Sequence, residues 1–241
     1  MPDLVDRTVL VVGGARALGR RISERLADAG ANVIIAARNL EKAAEVAEAL
    51  PRATALQVDI TDEASVRTAA ASVDEIDHIV TLASSYHDVP IAEIDPDSVA
   101  ESLKAKVIGP MLLAKHFGAR IASGGSMVMF SGLVAWKPGP RYTVLGVTNG
   151  AVSFLAAHLA YEMAPIRVNA IAPGVIDSGV WDDLPAAERQ SLFDQTTQSV
   201  LAGRVGTNDE VADALLWLLS AGFVTGETVH IDGGARISYR S

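Results

Sequence analysis

The stretch from Arg7 to Leu26 holds the residues whose order most directly implies chemistry. Thr8, Val9, Leu10, Val11 and Val12 form the apolar run that a parallel strand covered on both faces requires. Gly13 and Gly14 interrupt it. Leu18, Ile22 and Leu26 then recur at every fourth position, the spacing of one helical face. Gly30 follows where a helix end calls for a left-handed residue. A strand that feeds a helix through glycines aims bare backbone N–H groups and the positive helix end at one point, a site for an anion such as a dinucleotide phosphate. Two glycines also suit a plain tight corner, so other residues must decide.

Lys106 is the second group whose placement implies chemistry. Val99, Leu103, Pro110, Leu113 and Phe117 share its helical face, so a stripe that should be apolar carries a lysine. Lys104 points roughly 200° away and is the ordinary solvated one. A lysine on a buried stripe must snorkel, meet an anion or lose its proton. A salt bridge to an acid of a neighbouring copy is the structural alternative. Tyr86, His87 and Asp88 follow the fourth apolar run, at the edge where ligands bind in open α/β sheets. His87 reads either as an acid–base group or as a solvated loop histidine.

The elements that position these groups alternate strictly. Apolar runs at 32–37, 53–58, 76–83, 126–131, 166–172 and 227–231 read as further strands. Asn39, Thr61-Asp62-Glu63, Asp95-Pro96 and the Thr207-Asn208-Asp209-Glu210 capping box start the helices between them. One long helix is expected from Asp95 to Ala119 and another from Pro140 to Met163. Residues 177–203 have weak periodicity and are expected to form a mobile helical flap. This order predicts a single-domain α/β fold over residues 1–241, a doubly wound parallel sheet of seven strands.

Composition narrows the function. A hydrophobic fraction of 49% supports one large core, and a net charge of −9 argues against nucleic acid or an anionic membrane surface as partner. With no cysteine and only scattered histidines, no metal site is expected. Polar residues interrupt the uncharged run from Tyr142 to Tyr161, which reads as a buried helix rather than a membrane span. The first residues lack an apolar signal region, and a cytoplasmic location is expected.

The chain resembles the short-chain dehydrogenase/reductase family along essentially its whole length. The resemblance is carried by Val12-Gly13-Gly14-Ala15-Arg16-Ala17-Leu18-Gly19, by Asp59-Ile60 and by Ile166-Arg167-Val168-Asn169-Ala170-Ile171-Ala172-Pro173-Gly174. Gly203-Arg204-Val205-Gly206, Phe223-Val224-Thr225-Gly226 and His230-Ile231-Asp232-Gly233-Gly234 complete it. It implies a Rossmann fold and a nicotinamide cofactor held by Gly13, Ala15, Arg16, Leu18 and Gly19 of the turn. Arg38, Asp59, Ile60, Ala83, Asn149, Pro173, Gly174, Ile176 and Ser178 complete the implied cofactor site. The family turn reads Thr-Gly-x-x-x-Gly-x-Gly; here Val12 stands at the Thr position and Ala17 at the middle glycine. Family members that use NAD commonly carry an Asp at the end of the second strand. Ala37 stands there, with Arg38 beside it and Arg16 in the turn, so NADP(H) is expected over NAD(H).

The family's catalytic residues are replaced. Gly132 stands at the Ser position, Leu145 at the Tyr, Asn149 at the Lys and Lys106 at the Asn. Lys106 therefore becomes the candidate active-site cation and proton donor, with Asn149 keeping a ribose hydrogen bond. Tyr142, placed early at the mouth of its helix, is the second catalytic candidate; an exposed or interface tyrosine is the other reading. Trp181 lines a substrate pocket or packs the flap. The leading reading is an NADP(H)-dependent oxidoreductase with an altered site, acting on a small molecule such as an iminium or activated alkene. A non-catalytic NADP(H)-binding sensor or partner subunit is the main alternative, and a non-redox enzyme using the same cleft is the third. The resemblance also implies a homotetramer or homodimer through the helix at 140–163, with Leu155, Leu159 and Met163 as its apolar stripe.

Overall fold

The computed structural model describes residues 4–182 and 184–239. Seven parallel strands form the central sheet in the order β3-β2-β1-β4-β5-β6-β9. In chain order these are β1 (Thr8–Val12), β2 (Asn32–Ala37), β3 (Ala53–Gln57), β4 (Ile76–Thr81), β5 (Ile121–Phe130), β6 (Arg167–Pro173) and β9 (Thr228–Ile231). Two short strands, β7 (Ile176–Asp177) and β8 (Gly206–Thr207), pair separately and brace the start of the 177–203 segment; the sequence offered no periodicity over two residues to reveal them.

Alternation along β1 explains the layering. Val9 and Val11 point into a core shared with Ile22 and Leu26 of α1 (Ala17–Asp28) and Val211 and Leu215 of α8 (Asn208–Ser220). Leu10 and Val12 point the other way. They meet Val66 of α3 (Glu63–Ala71), Leu113 and Phe117 of α5 (Gly109–Phe117), and Val152 and Leu159 of α6 (Thr143–Glu162). The expected helix starts hold: the side chains of Asn39, Asp62, Asp95 and Thr207 cap α2 (Leu40–Glu48), α3, α4 (Pro96–Leu103) and α8.

Two expectations need correction. The helix expected over 95–119 is divided: a π turn at Lys104–Ile108 separates α4 from α5, with the Gly109 N–H reaching back to the Lys104 carbonyl. Pro110 supplies the reason. It has no N–H for the Lys106 carbonyl and its ring crowds that carbonyl, so one extra residue is taken into the turn.

The second correction concerns α6. Leu155 and Leu159 are buried against the sheet rather than forming an outward stripe. The outward apolar row is Val147, Phe154 and Tyr161, the last two 74% and 91% exposed. By length and composition α6 alone among the described residues could cross a membrane, but its inner face, including Val144, Val152 and Ala156, is buried in the protein. The segment expected as a flap contains α7 (Ala186–Ser199), with Asp183 lying outside the described residues.

Candidate functional site

The carboxyl ends of β1, β4, β5 and β6 lie side by side along one edge of the parallel sheet, and the glycine turn follows β1 there. Gly13 has a left-handed φ of 89° and Ala17 one of 47°, so an alanine carries the conformation for which a glycine is better suited. A Cβ on Gly19 would stand 2.0 Å from the Gly13 carbonyl oxygen, which lets α1 start tight against the strand. Arg16 precedes α1 without a side-chain cap, and the first turn carries no acid. Its N–H groups are open to an anion. Across the turn, a Cβ on Gly13 would touch the Ala83 N–H at 3.4 Å, and one on Gly179 would lie 4.0 Å from Ala17 Cβ. The loop after β4 and the start of the 177–203 segment thus flank the cradle.

At the β2 edge, Arg16 and Arg38 are both exposed and neither has an ion pair among the described residues. Ala37 puts no carboxylate beside them. Asp59 spends Oδ1 on the turn into α3, accepting from the Thr61 N–H at 2.9 Å and the Thr61 hydroxyl at 2.7 Å. Ile60 is buried against Gly109, where a Cβ would approach its Cδ1 to 2.6 Å, so its side chain seats α5. On the opposite side, Gly174 passes close to the Asp232 backbone, Ile176 is buried, and its carbonyl accepts from Trp181 Nε1 at 2.9 Å. Trp181 thereby packs the base of the segment. Ser178 is buried.

Lys106 is 6% exposed, inside the π turn, and has no hydrogen bond or ion pair among the described residues. Burial lowers its ammonium to about 8, with the Asp88 charge opposing the shift. Glu101 is paired with Lys104 at 2.7 Å, so the solvated lysine is the expected one. Asp88 Oδ1 is also buried without a partner, and burial raises its carboxyl above the usual range despite the charges of Arg141, His87 and Lys106. Arg141 Nε donates to the Asp88 carbonyl at 3.2 Å, tying the loop after β4 to the entrance of α6.

The remaining candidates separate. His87 Nε2 accepts the Asp95 N–H at 3.1 Å, so the half-buried loop imidazole is tied to the start of α4. Tyr142 is half-buried at the mouth of α6 with its ring near Gly139, and no hydrogen bond or ion pair joins it to Lys106 or Asp88. Ser131 donates to the Asn149 carbonyl at 2.8 Å, which occupies its hydroxyl.

Sequence reasoning missed the buried hydroxyls of Thr81 and Ser84, which with Asp88 and Asn149 lack partners. These atoms lie at the end of β4, in the loop after it and in the second turn of α6, and buried polar atoms left without partners are ones a ligand can satisfy. It also missed Trp136 stacked edge-on to His230, centroids 4.4 Å apart, a contact between residues distant in the chain.

Comparison with known proteins agrees with the fold. A family model described as enoyl-(acyl carrier protein) reductase matches residues 13–236. The chain belongs to the short-chain dehydrogenase/reductase family. It is 29% identical to 3-oxoacyl-(acyl carrier protein) reductase of Aquifex aeolicus, covering 96% of this chain and 98% of that one. It is 31% identical to sorbitol dehydrogenase of Cereibacter sphaeroides, covering 96% and 98%.

Among solved structures, a small-chain dehydrogenase in complex with NADPH matches with a TM-score of 0.85 at 27% identity, over 96% of this chain and 99% of that one. A gluconate 5-dehydrogenase from Burkholderia cenocepacia, in complex with NADP and tartrate, matches with a TM-score of 0.86 at 29% identity over 97% of each chain. Membership of this family makes the protein one of its oxidoreductases, built for small-molecule substrates.

Proposed function

We propose that this short-chain dehydrogenase/reductase uses NADP(H) and moves the reaction's proton through Lys106. The cofactor reading rests on the glycine cradle and the uncapped start of α1, both of which fit a pyrophosphate. Gly13, Ala15, Leu18 and Gly19 would form the cradle, with Asp59, Ile60 and Ala83 at the adenine and Pro173, Gly174, Ile176 and Ser178 toward the nicotinamide. The bound nicotinamide supplies or accepts a hydride. The chain's own task is to orient the substrate and manage one proton.

Lys106 suits that task because it is buried, without a fixed partner and at the ligand edge. With its ammonium near 8 it protonates an imine nitrogen, or the α-carbon of an activated alkene after hydride addition, near neutral pH, or takes that proton in the reverse direction. Tyr142 stands at the mouth of the cleft and contacts substrate from there. Iminium groups and activated alkenes, which need less oxyanion support than ketones, suit a site lacking the family's Ser and Tyr. The absence of those groups favours the second reading, a cofactor-binding sensor or partner subunit. The same proposal places the protein in the cytoplasm, where nicotinamide cofactors are available.

Cofactor choice is tested at Arg38. A 2′-phosphate between Arg16 and Arg38 gains charge-assisted bonds that a ribose hydroxyl does not. Arg38→Asp lowers NADPH affinity roughly tenfold to a hundredfold and spares NADH, read by fluorescence titration. Equal affinity for both cofactors, unchanged by the substitution, contradicts NADP(H) preference.

The outward row Val147, Phe154 and Tyr161 lies on α6, and the π turn that packs against α6 carries exposed Ile108. An apolar face of this extent fits a second copy, and the protein is expected as a homodimer or homotetramer through it. Light scattering at micromolar concentration checks this, and a monomer rules it out.

A further inference from the structure

Asn149 combines a fixed backbone with an open side chain. It is 2% exposed, yet its Oδ1 has no hydrogen-bond partner. Ser131 Oγ donates to its carbonyl at 2.8 Å, and Ser153 Oγ donates to Ser131 Oγ at 3.0 Å. The two hydroxyls hold this turn of α6 onto the end of β5.

The carboxamide lies against Gly132, where a Cβ would stand 2.7 Å from Asn149 Nδ2 and 3.3 Å from Cγ. Gly132 has an extended backbone, φ 177°, that any residue adopts. Glycine is needed there for space: the amide fills the room a side chain at 132 would take. Because Gly132 follows the carboxyl end of β5, that room is on the ligand side of the sheet.

We propose that the Asn149 carboxamide contacts the substrate rather than the cofactor ribose, its Oδ1 accepting a hydrogen bond from the O–H or N–H of the reacting group. The buried atom left without a partner is an acceptor, so the complementary ligand atom carries a hydrogen, as in a secondary alcohol or an amine. Nδ2 is the end of the amide nearer Gly132. A buried acceptor without a partner lowers the stability of the free protein, and a donor on the ligand removes that cost. This assignment rests on the oxidoreductase reading above.

Asn149→Leu, close in volume and without polar atoms, tests it in the full-length protein. Three quantities are measured: melting temperature without ligand, NADPH affinity by fluorescence, and turnover. Turnover is followed as NADP⁺-dependent oxidation of a secondary alcohol and a cyclic amine. The expected result is a melting temperature unchanged or raised, NADPH affinity within about twofold, and kcat/KM lower by about 10².

A lower melting temperature would make Asn149 structural, and NADPH affinity weakened tenfold or more would return it to the ribose. Wild-type protein that binds NADPH but oxidises neither probe overturns the substrate assignment. Failure of the wild type to bind NADPH defeats the cofactor reading instead, which the same titration reports separately.

Discussion

Lys106→Met lowers turnover by about 10² or more while leaving NADPH affinity unchanged. Methionine is unbranched and apolar, so it fills the lysine's space without leaving a charge to solvate. The side chain is buried and its ammonium has no partner among the described residues, so its removal holds or raises the melting temperature. Loss of activity without loss of stability separates a chemical role from a packing role. The wild-type pH profile gives a second check. A proton donor must be charged, so reduction declines as pH rises through about 8, and this limb disappears in the variant. Full turnover with a weakened oligomer would instead make Lys106 an interface residue.

Acidification from about pH 6.5 to about pH 4 removes roughly 3 kcal/mol of stability through His78 alone. This imidazole lies in the sheet, with Nδ1 2.9 Å from Ser126 Oγ. Burial lowers it to about 4; Arg167 and Arg7 reinforce the shift and Asp77 opposes it. In the unfolded chain it titrates near 6.5. Between those values the unfolded state binds a proton that the folded state refuses, so stability rises with pH across the window and is level in this term above it. His78→Asn keeps a polar partner for Ser126 and does not titrate. Denaturant unfolding at about pH 7 and about pH 4 should show a smaller acid loss in the variant by roughly 2–3 kcal/mol. Parallel losses in both proteins contradict this account.

The elements were legible where burial is two-sided or a cap is local. The runs at 8–12 and 32–37 could only be covered strands, and Asn39, Asp62, Asp95 and Thr207 announce helices through bonds to residues two or three away. Lys106 was legible for a related reason, as a charge interrupting an otherwise regular apolar stripe.

The π turn around it was not, because one added residue disturbs helical periodicity less than the tolerance of the pattern. Pro110 was the local sign. On α6 the phase was lost for the opposite reason: both faces are apolar, so periodicity could not separate inward Leu155 from outward Phe154. The wedge of Asn149 against Gly132 joins two elements through a tertiary contact, and spacing along the chain holds no trace of it. The pinning of His87 at the start of α4 was equally hidden, since a ring nitrogen can accept a backbone N–H from any loop that brings it near.

This family member is expected to bind NADP(H) and to turn it over without the usual tyrosine and lysine. The most direct measurement follows the fluorescence of NADPH bound to wild-type protein as ketone, imine and enone compounds are added in turn. The account predicts saturable binding stronger than that of NADH, then consumption of the bound cofactor, fastest with the imine or enone. Saturable binding with no consumption by any compound would contradict it and leave a cofactor-binding sensor.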